Sequence, residues 1–427
     1  MSRYIAVFLA FVMIVSLCGC SRVENGRDTF SEKESEDGVL HTDDEDSPDA
    51  ELIVSEEPKI NIPQPKKTEK PDFGELSDDL YSFQAEINGE VYQFPMRYSE
   101  FISYGWKLDG VENDKIDANY YRGHYFILGE LECYVQIVNF DINAHPIKEC
   151  YIGGISVDFE LASYDKDFSM RMPKSIELGK STVEDVKKAY GTPSYSYEGE
   201  YLTELEYKYS NNYQEVIFEF STETGILKKI QIRNFEKPED FVEGEVSTEV
   251  PDIVKRYKTP EKLEDDFSLF IVQYGGDYYQ LPAPVSCFIA NGWKIIENET
   301  EMVIAGRDNG WVTLMKDNQK LSVIAQNYTE TAATIENCFV TTVESGTYGN
   351  NTKIKIARGI TIGMKESKLE QALSGVDYEK DTSSSPVHYY EIKFEEYSLD
   401  KYEIRTENGV VDKIVVNNSP GYEQFTR

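Results

Sequence analysis

The sequence predicts an α+β fold built as two tandem homologous domains, each with helices packed on an antiparallel sheet. Three observations predict it. The segment 95–107 (PMRYSEFISYGWK) realigns without a gap on 282–294 (PAPVSCFIANGWK), 187 residues later. The match continues at nearly constant offset, with Cys150 on Cys338, Leu178-Gly179 on Ile362-Gly363 and Gly225 on Gly409. Each copy then closes on a helix-period segment followed by three alternating, strand-like runs. A repeat of roughly 150 residues is too long for a solenoid unit and suits a domain.

The chain begins with Arg3 and an apolar run from Ile5 to Leu17. As a helix this run spans about 20 Å, short of the ~30 Å hydrocarbon core, so it reads as a signal segment (1–19) and not a span. Leu17-Cys18-Gly19-Cys20 resembles a bacterial lipobox, in which the Cys20 thiol takes a diacylglycerol and holds the chain at a membrane surface. No other cofactor is expected. Residues 20–79 read as an acidic, disordered tether. Between Ser21 and Glu75 stand 17 Asp/Glu against 7 Lys/Arg, with five prolines and few apolar anchors, too little apolar surface to offset the entropy of ordering. The formal net charge of −34 disfavours nucleic acid and anionic lipid as partners.

Each repeat opens on a hairpin. In the first, 83–87 and 90–94 flank Asn88-Gly89, which supplies the positive φ angles of a two-residue turn; Gly275-Gly276 stands at the matching place in the second. A short helix follows (99–104; 286–291), closed by Gly105 or Gly292. Trp106 and Trp293 come next and read as core residues. Two further strands run toward Cys150 and Cys338. The second part of the first repeat has Leu178-Gly179-Lys180-Ser181, a helix over 182–190 with Ser181 and Glu184 as capping box, and Gly191-Thr192-Pro193 as its stop. Strands are expected at 201–209, 213–221 and 226–234, and in the second repeat at 387–396, 401–406 and 410–418. Leu205, Tyr207 and Tyr209 alternate with Glu204, Glu206 and Lys208, and Ile226, Ile230 and Ile232 with Lys229, Gln231 and Arg233. One sheet face is therefore apolar, and the other reads as solvated surface without an aromatic platform.

This strand–LGKS–helix–Gly-x-Pro–three-strand order resembles the small domain shared by SmpA/OmlA-type outer-membrane assembly lipoproteins and the β-lactamase inhibitor protein. The resemblance covers about 176–234 and 360–418, and the second copy lacks the helix-ending Pro. It implies a helix-on-sheet module that holds other proteins and has no chemistry of its own. The inhibitor's contact residues match no positions here one to one.

Chemical motifs find little support. Gly179-Lys180-Ser181-Thr182 looks like the tail of a phosphate loop, but position 174 is Lys where the leading Gly belongs. His41, His124, His145 and His388 have no counterparts between copies, and metal-ligand spacings and a Gly-x-Ser-x-Gly elbow are missing. Cys133, Cys150, Cys287 and Cys338 permit two disulfides, most simply Cys133–Cys150 and Cys287–Cys338. Only Cys150 and Cys338 are equivalent, however, which favours four free, buried thiols.

The expected organisation is domain 80–234, acidic linker 235–267, domain 268–418 and tail 419–427. The expected function is noncatalytic: a membrane-anchored, extracytoplasmic bacterial lipoprotein that associates with an envelope protein, in assembly or inhibition, with two modules adding avidity. The alternatives are a cell-wall or carbohydrate-binding lipoprotein, for which Trp106, Trp293 and Trp311 are the stacking residues to test, and an enzyme with an unrecognised site.

Overall fold

Asn88 and Gly89 take φ of 52° and 81°, and Gly275 and Gly276 take 58° and 100°, so each repeat begins with the tight hairpin its turn residues dictate. A computed structural model describes residues 70–159, 168–211, 213–346, 350–394 and 399–426. The signal segment, Cys20 and the tether up to residue 69 lie outside the described residues. Among those described, no helix is long and apolar enough to cross a membrane.

In the first repeat the hairpin is β1 (Gln84–Ile87) and β2 (Glu90–Gln93), followed by helix α1 (Tyr98–Ser103), β3 (Lys107–Asp109), β4 (Tyr121–Leu128), β5 (Leu131–Val138) and β6 (Tyr151–Asp158). Then come β7 (Met170–Met172), β8 (Ile176–Glu177), α2 (Val183–Tyr190), β9 (Tyr195–Glu198), β10 (Leu202–Ser210), β11 (Gln214–Ser221) and β12 (Leu227–Asn234). The order β8-β7-β1-β2 forms a small sheet. A nine-stranded sheet runs β9-β10-β11-β12-β6-β5-β4-β3, with the two-residue strand Met96–Arg97 also paired to β6. One apolar core gathers the inner faces, from Leu80 to Ile232.

The second repeat follows α3 (Asp252–Arg256). It contains β13 (Ile271–Tyr274), β14 (Asp277–Gln280), α4 (Val285–Ala290), β15 (Lys294–Ile295), β16 (Asn309–Lys316), β17 (Gln319–Gln326), β18 (Phe339–Val340) and β19 (Thr342–Ser345). After these lie α5 (Glu366–Ala372), β20 (Glu379–Asp381), β21 (Val387–Lys393), β22 (Lys401–Glu407), β23 (Val410–Asn417) and α6 (Tyr422–Phe425). A second core runs from Phe267 to Val416. Here the large sheet is divided. Where the first repeat has the unbroken β6, with a bulge that skips Gly153, the second has buried Thr341 between β18 and β19. The two halves join separate five-stranded sheets, β18-β17-β16-β15 with Ala283–Pro284, and β19-β23-β22-β21-β20.

The expected α+β class is not what forms. The fold is mostly antiparallel β, 43% strand against 17% helix, with six short helices among the described residues. The helix-period segments are real but short: the longest of the six, α2, has eight residues, about 12 Å of rise, and inserts Val186 into the core. Sheet faces supply most of the buried surface. The cap is also displaced by one residue. Thr182 accepts from the Asp185 N–H at 3.3 Å and donates its own N–H to the Asp185 carboxylate at 2.9 Å, while the Ser181 hydroxyl accepts from the Glu177 N–H. α5 has no side-chain cap, and its Glu366 N–H donates to Gly409 O at 2.9 Å. Glu366 Oε1 accepts from His388 and Tyr390, both at 2.6 Å, with Lys380 at 3.3 Å.

The repeats meet through equivalent loops within one compact unit, Lys66–Arg427. The Asn139 side-chain amide donates to the carbonyls of Ile116, Asp117 and Asn143. Asn327, 188 residues on, donates to those of Ile304, Ala305 and Thr331. The loops so shaped bond to one another: Gly306 N–H to Ile142 O at 2.8 Å, Ala144 N–H to Glu330 O at 2.7 Å, and Ala332 N–H to Asn143 Oδ1 at 2.7 Å. A Cβ on Gly306 would stand 2.1 Å from Glu330 O, so this approach needs glycine. Lys115 pairs with Glu330, and Arg307 reaches Glu330 at 3.1 Å and Asp117 at 3.6 Å. Burial raises the Glu330 pKa, but Lys115 and Arg307 outweigh it and hold the carboxyl below its usual range. The connecting chain also makes contacts: Phe241 packs with Phe140 and Tyr151, Gly244 N–H donates to Asp141, and Ser247 N–H donates to Ala332 O.

Two predictions follow from these contacts. Asn139→Ala or Asn327→Ala strips three carbonyls, one of them in a buried hydrogen bond, of a donor and should cost about 1–3 kcal/mol in urea unfolding; a loss within about 0.5 kcal/mol would mean the amides do not hold the loops. Hydrogen bonds from His388 and Tyr390 lower the Glu366 carboxyl from 4.5 to about 2. A depressed folded pKa gives stability that is present above the unfolded value and lost as pH falls through the folded one. Glu366→Gln should therefore flatten the acid limb of the stability profile between about pH 4.5 and 2, read by thermal unfolding across that range.

Candidate functional site

The outer face of the nine-stranded sheet is fixed by strand register. One cross-strand row reads Tyr195, Glu206, Ile217, Gln231, Ser156, Tyr134 and Tyr125. The row on one side runs Lys208, Glu215, Arg233, Gly154, Gln136, Gly123, and on the other Tyr197, Glu204, Glu219, Lys229, Asp158. Tyrosines thus stand at both ends of a charged centre. The period of two puts these residues outward because Leu205, Tyr207, Val216, Phe218, Ile230 and Ile232 are drawn into the core.

The charges are largely paired. Lys229 meets Glu219 at 2.8 Å, Arg233 meets Glu215 at 2.9 Å, and Lys208 meets Glu206 at 3.0 Å. Glu204 is different: burial first, then repulsion from Glu219 and Glu206, raises its pKa. Beside this centre, at Ser156, lies a groove of about 320 Å³ lined by Tyr125, Tyr134, Gln136, Gln231 and Arg233. Tyr125 and Tyr134 meet edge to face, centroids 5.5 Å apart, and remain half exposed. The Tyr134 ring lies over Gly123, where a Cβ would fall 1.6 Å from its hydroxyl.

This face corrects the expectation of a surface without aromatics. Tyr121, Tyr125, Ile127 and Tyr134 are exposed on β4 and β5, and Tyr195 and Tyr197 on the edge strand β9. The alternation in 121–138 carried the signal, since Tyr121, Tyr125 and Tyr134 share the outward phase. In the second repeat the corresponding sheet is split, and its outer residues form ion pairs such as Lys401–Glu391 and Lys413–Glu403.

The tryptophans separate. Trp106 is buried against Phe101, at 5.1 Å and 14°, and its Nε1 donates to the Tyr92 hydroxyl. Trp293 is buried and stacked on Tyr274 at 5.6 Å. Neither can stack on a ligand in this fold. Trp311 is 37% exposed, opposite Ile324 on β16 and β17. Cys133, Cys150 and Cys338 are buried and Cys287 half-buried, and all four are free thiols. Cys20 lies outside the described residues. Among the described residues, no group of three or more His, Cys, Asp or Glu is placed to hold a metal. No family model matches the chain, nor does any curated protein or solved structure.

Burial pushes Cys150 and Cys338 up to about 12 and Cys133 well above its ordinary value. These three thiols should resist an aromatic disulfide reagent at pH 8 in the native protein. All four described cysteines should react after unfolding without reductant. Fewer than four would show a disulfide.

Proposed function

We propose that this chain is a noncatalytic, lipid-anchored envelope protein that holds a protein partner on the outer sheet face of its first repeat. The observation that carries the reading is the unbroken face with tyrosines at both ends of an ion-paired centre. Tyrosine offers large contact area at small entropic cost, and the charges around it set partner choice more than affinity. The tyrosine-flanked face belongs to one repeat, so the second supports the first and does not duplicate its surface. The Leu17-to-Cys20 sequence supports an acyl anchor on Cys20, which would keep this face near membrane-associated partners. The likeness of the LGKS–helix–strand order to assembly lipoproteins and to a protein inhibitor supports the same class of partner.

In-cell crosslinking of the full-length chain, followed by mass spectrometry, tests this. Wild type should capture one defined envelope protein, Cys20→Ala should lose it, and Tyr125→Ala/Tyr134→Ala should reduce capture at least tenfold while leaving the unfolding midpoint in place. Undiminished capture by the tyrosine variant would remove this face from the proposal. Wall glycan recovered in place of protein would move the function to carbohydrate binding.

A further inference from the structure

A cleft of about 760 Å³ lies away from the tyrosine face, in the second repeat, within the range of small-molecule sites. Its wall draws on the start of the repeat around Phe270 and Pro282, the linker from α3 through Lys258, the side chains of Phe339, Phe394 and Asp400, and the tail at Phe425. Comparison of the copies shows why space opens here. Asp79 and Asp266 cap equivalent short turns by accepting from the N–H of Tyr81 and of Ser268. In the first repeat the Tyr81 ring fills the site, 5.3 Å from Tyr209 and 6.3 Å from Phe83. In the second, Ser268 turns its hydroxyl back onto Asp266 at 2.8 Å and leaves Phe270 and Phe394, centroids 4.9 Å apart, to line the cavity.

The second observation is charge. Arg256 and Lys258 line the cavity and are exposed, in a chain of formal charge −34; Asp252, held mainly by Lys255, is the carboxylate that feels Arg256. Asp400 also lines it, with its carboxylate accepting from the Ser419 N–H at 2.6 Å. We propose that this cleft binds a small organic anion with an apolar ring. The ring packs against Phe270, Phe394 and Phe425, and the anionic group pairs with Arg256 and Lys258. The apolar wall supplies affinity and the two cations select the acid over its neutral amide.

Saturation-transfer NMR on the full chain in nonionic detergent, with phenylacetate and phenylacetamide as probes, tests this. Phenylacetate should bind at least tenfold tighter than the amide. Arg256→Gln/Lys258→Gln should erase that difference. Ser268→Tyr, which restores the first repeat's filled arrangement, should abolish binding of both probes while the unfolding midpoint shows the fold intact. Equal binding of acid and amide, no binding of either, or full binding by Ser268→Tyr would overturn the proposal. None of these outcomes bears on the tyrosine face of the first repeat.

Discussion

Asn139 and Asn327 shape the two loops on which the arrangement of the two repeats depends. Each is almost fully buried and spends both amide protons on backbone carbonyls of its own repeat. A buried polar side chain is tolerated only when satisfied, so each asparagine confines its loop to one path. That path places Ala144 against Glu330 and Gly306 against Ile142, and these backbone contacts bring Arg307 within reach of Asp117. Arg307 also lies over the Tyr422 ring at 3.8 Å, which ties the carboxy-terminal helix into the same junction.

Much of the hairpin-and-core plan was legible in the sequence because it rests on local rules. Asn88-Gly89 and Gly275-Gly276 need positive φ, and the alternation in β10 and β12 separates an inward face from an outward one. Trp106 and Trp293 recur after helix-stopping glycines and are core residues. The fold class was not legible from the same signals. Helical periodicity at 182–190 marks a real helix, but periodicity says nothing about how much sheet surrounds it. The tyrosine face depends on β4 and β5 lying next to β6, a pairing across more than a dozen residues that no local pattern specifies. The Asn139 and Asn327 contacts were equally hidden, since an isolated Asn in a loop usually signals a turn.

The contacts between the repeats also change what duplication means here. Two beads on an acidic string would act by avidity. The structure instead joins the repeats by loop-to-loop hydrogen bonds, and by a connecting chain whose Phe241 and Ser247 are fastened on the way. The copies then differ where they face outward. An unbroken β6 gives the first repeat one wide sheet, while Thr341 divides the equivalent strand in the second and separates Trp311 from the ion-paired strands.

Gly306, whose missing side chain admits Glu330 and Ala144, sits where two equivalent loops meet. Loops that meet their own equivalents are the geometry of a two-fold homodimer, here enclosed within one polypeptide. In a homodimer any substitution appears twice, on both sides of the axis. Within one chain that obligation is absent: position 118 is alanine where position 306 is glycine, and position 81 is tyrosine where position 268 is serine. A single chain can thereby hold an asymmetric pair in permanent association, independent of its concentration.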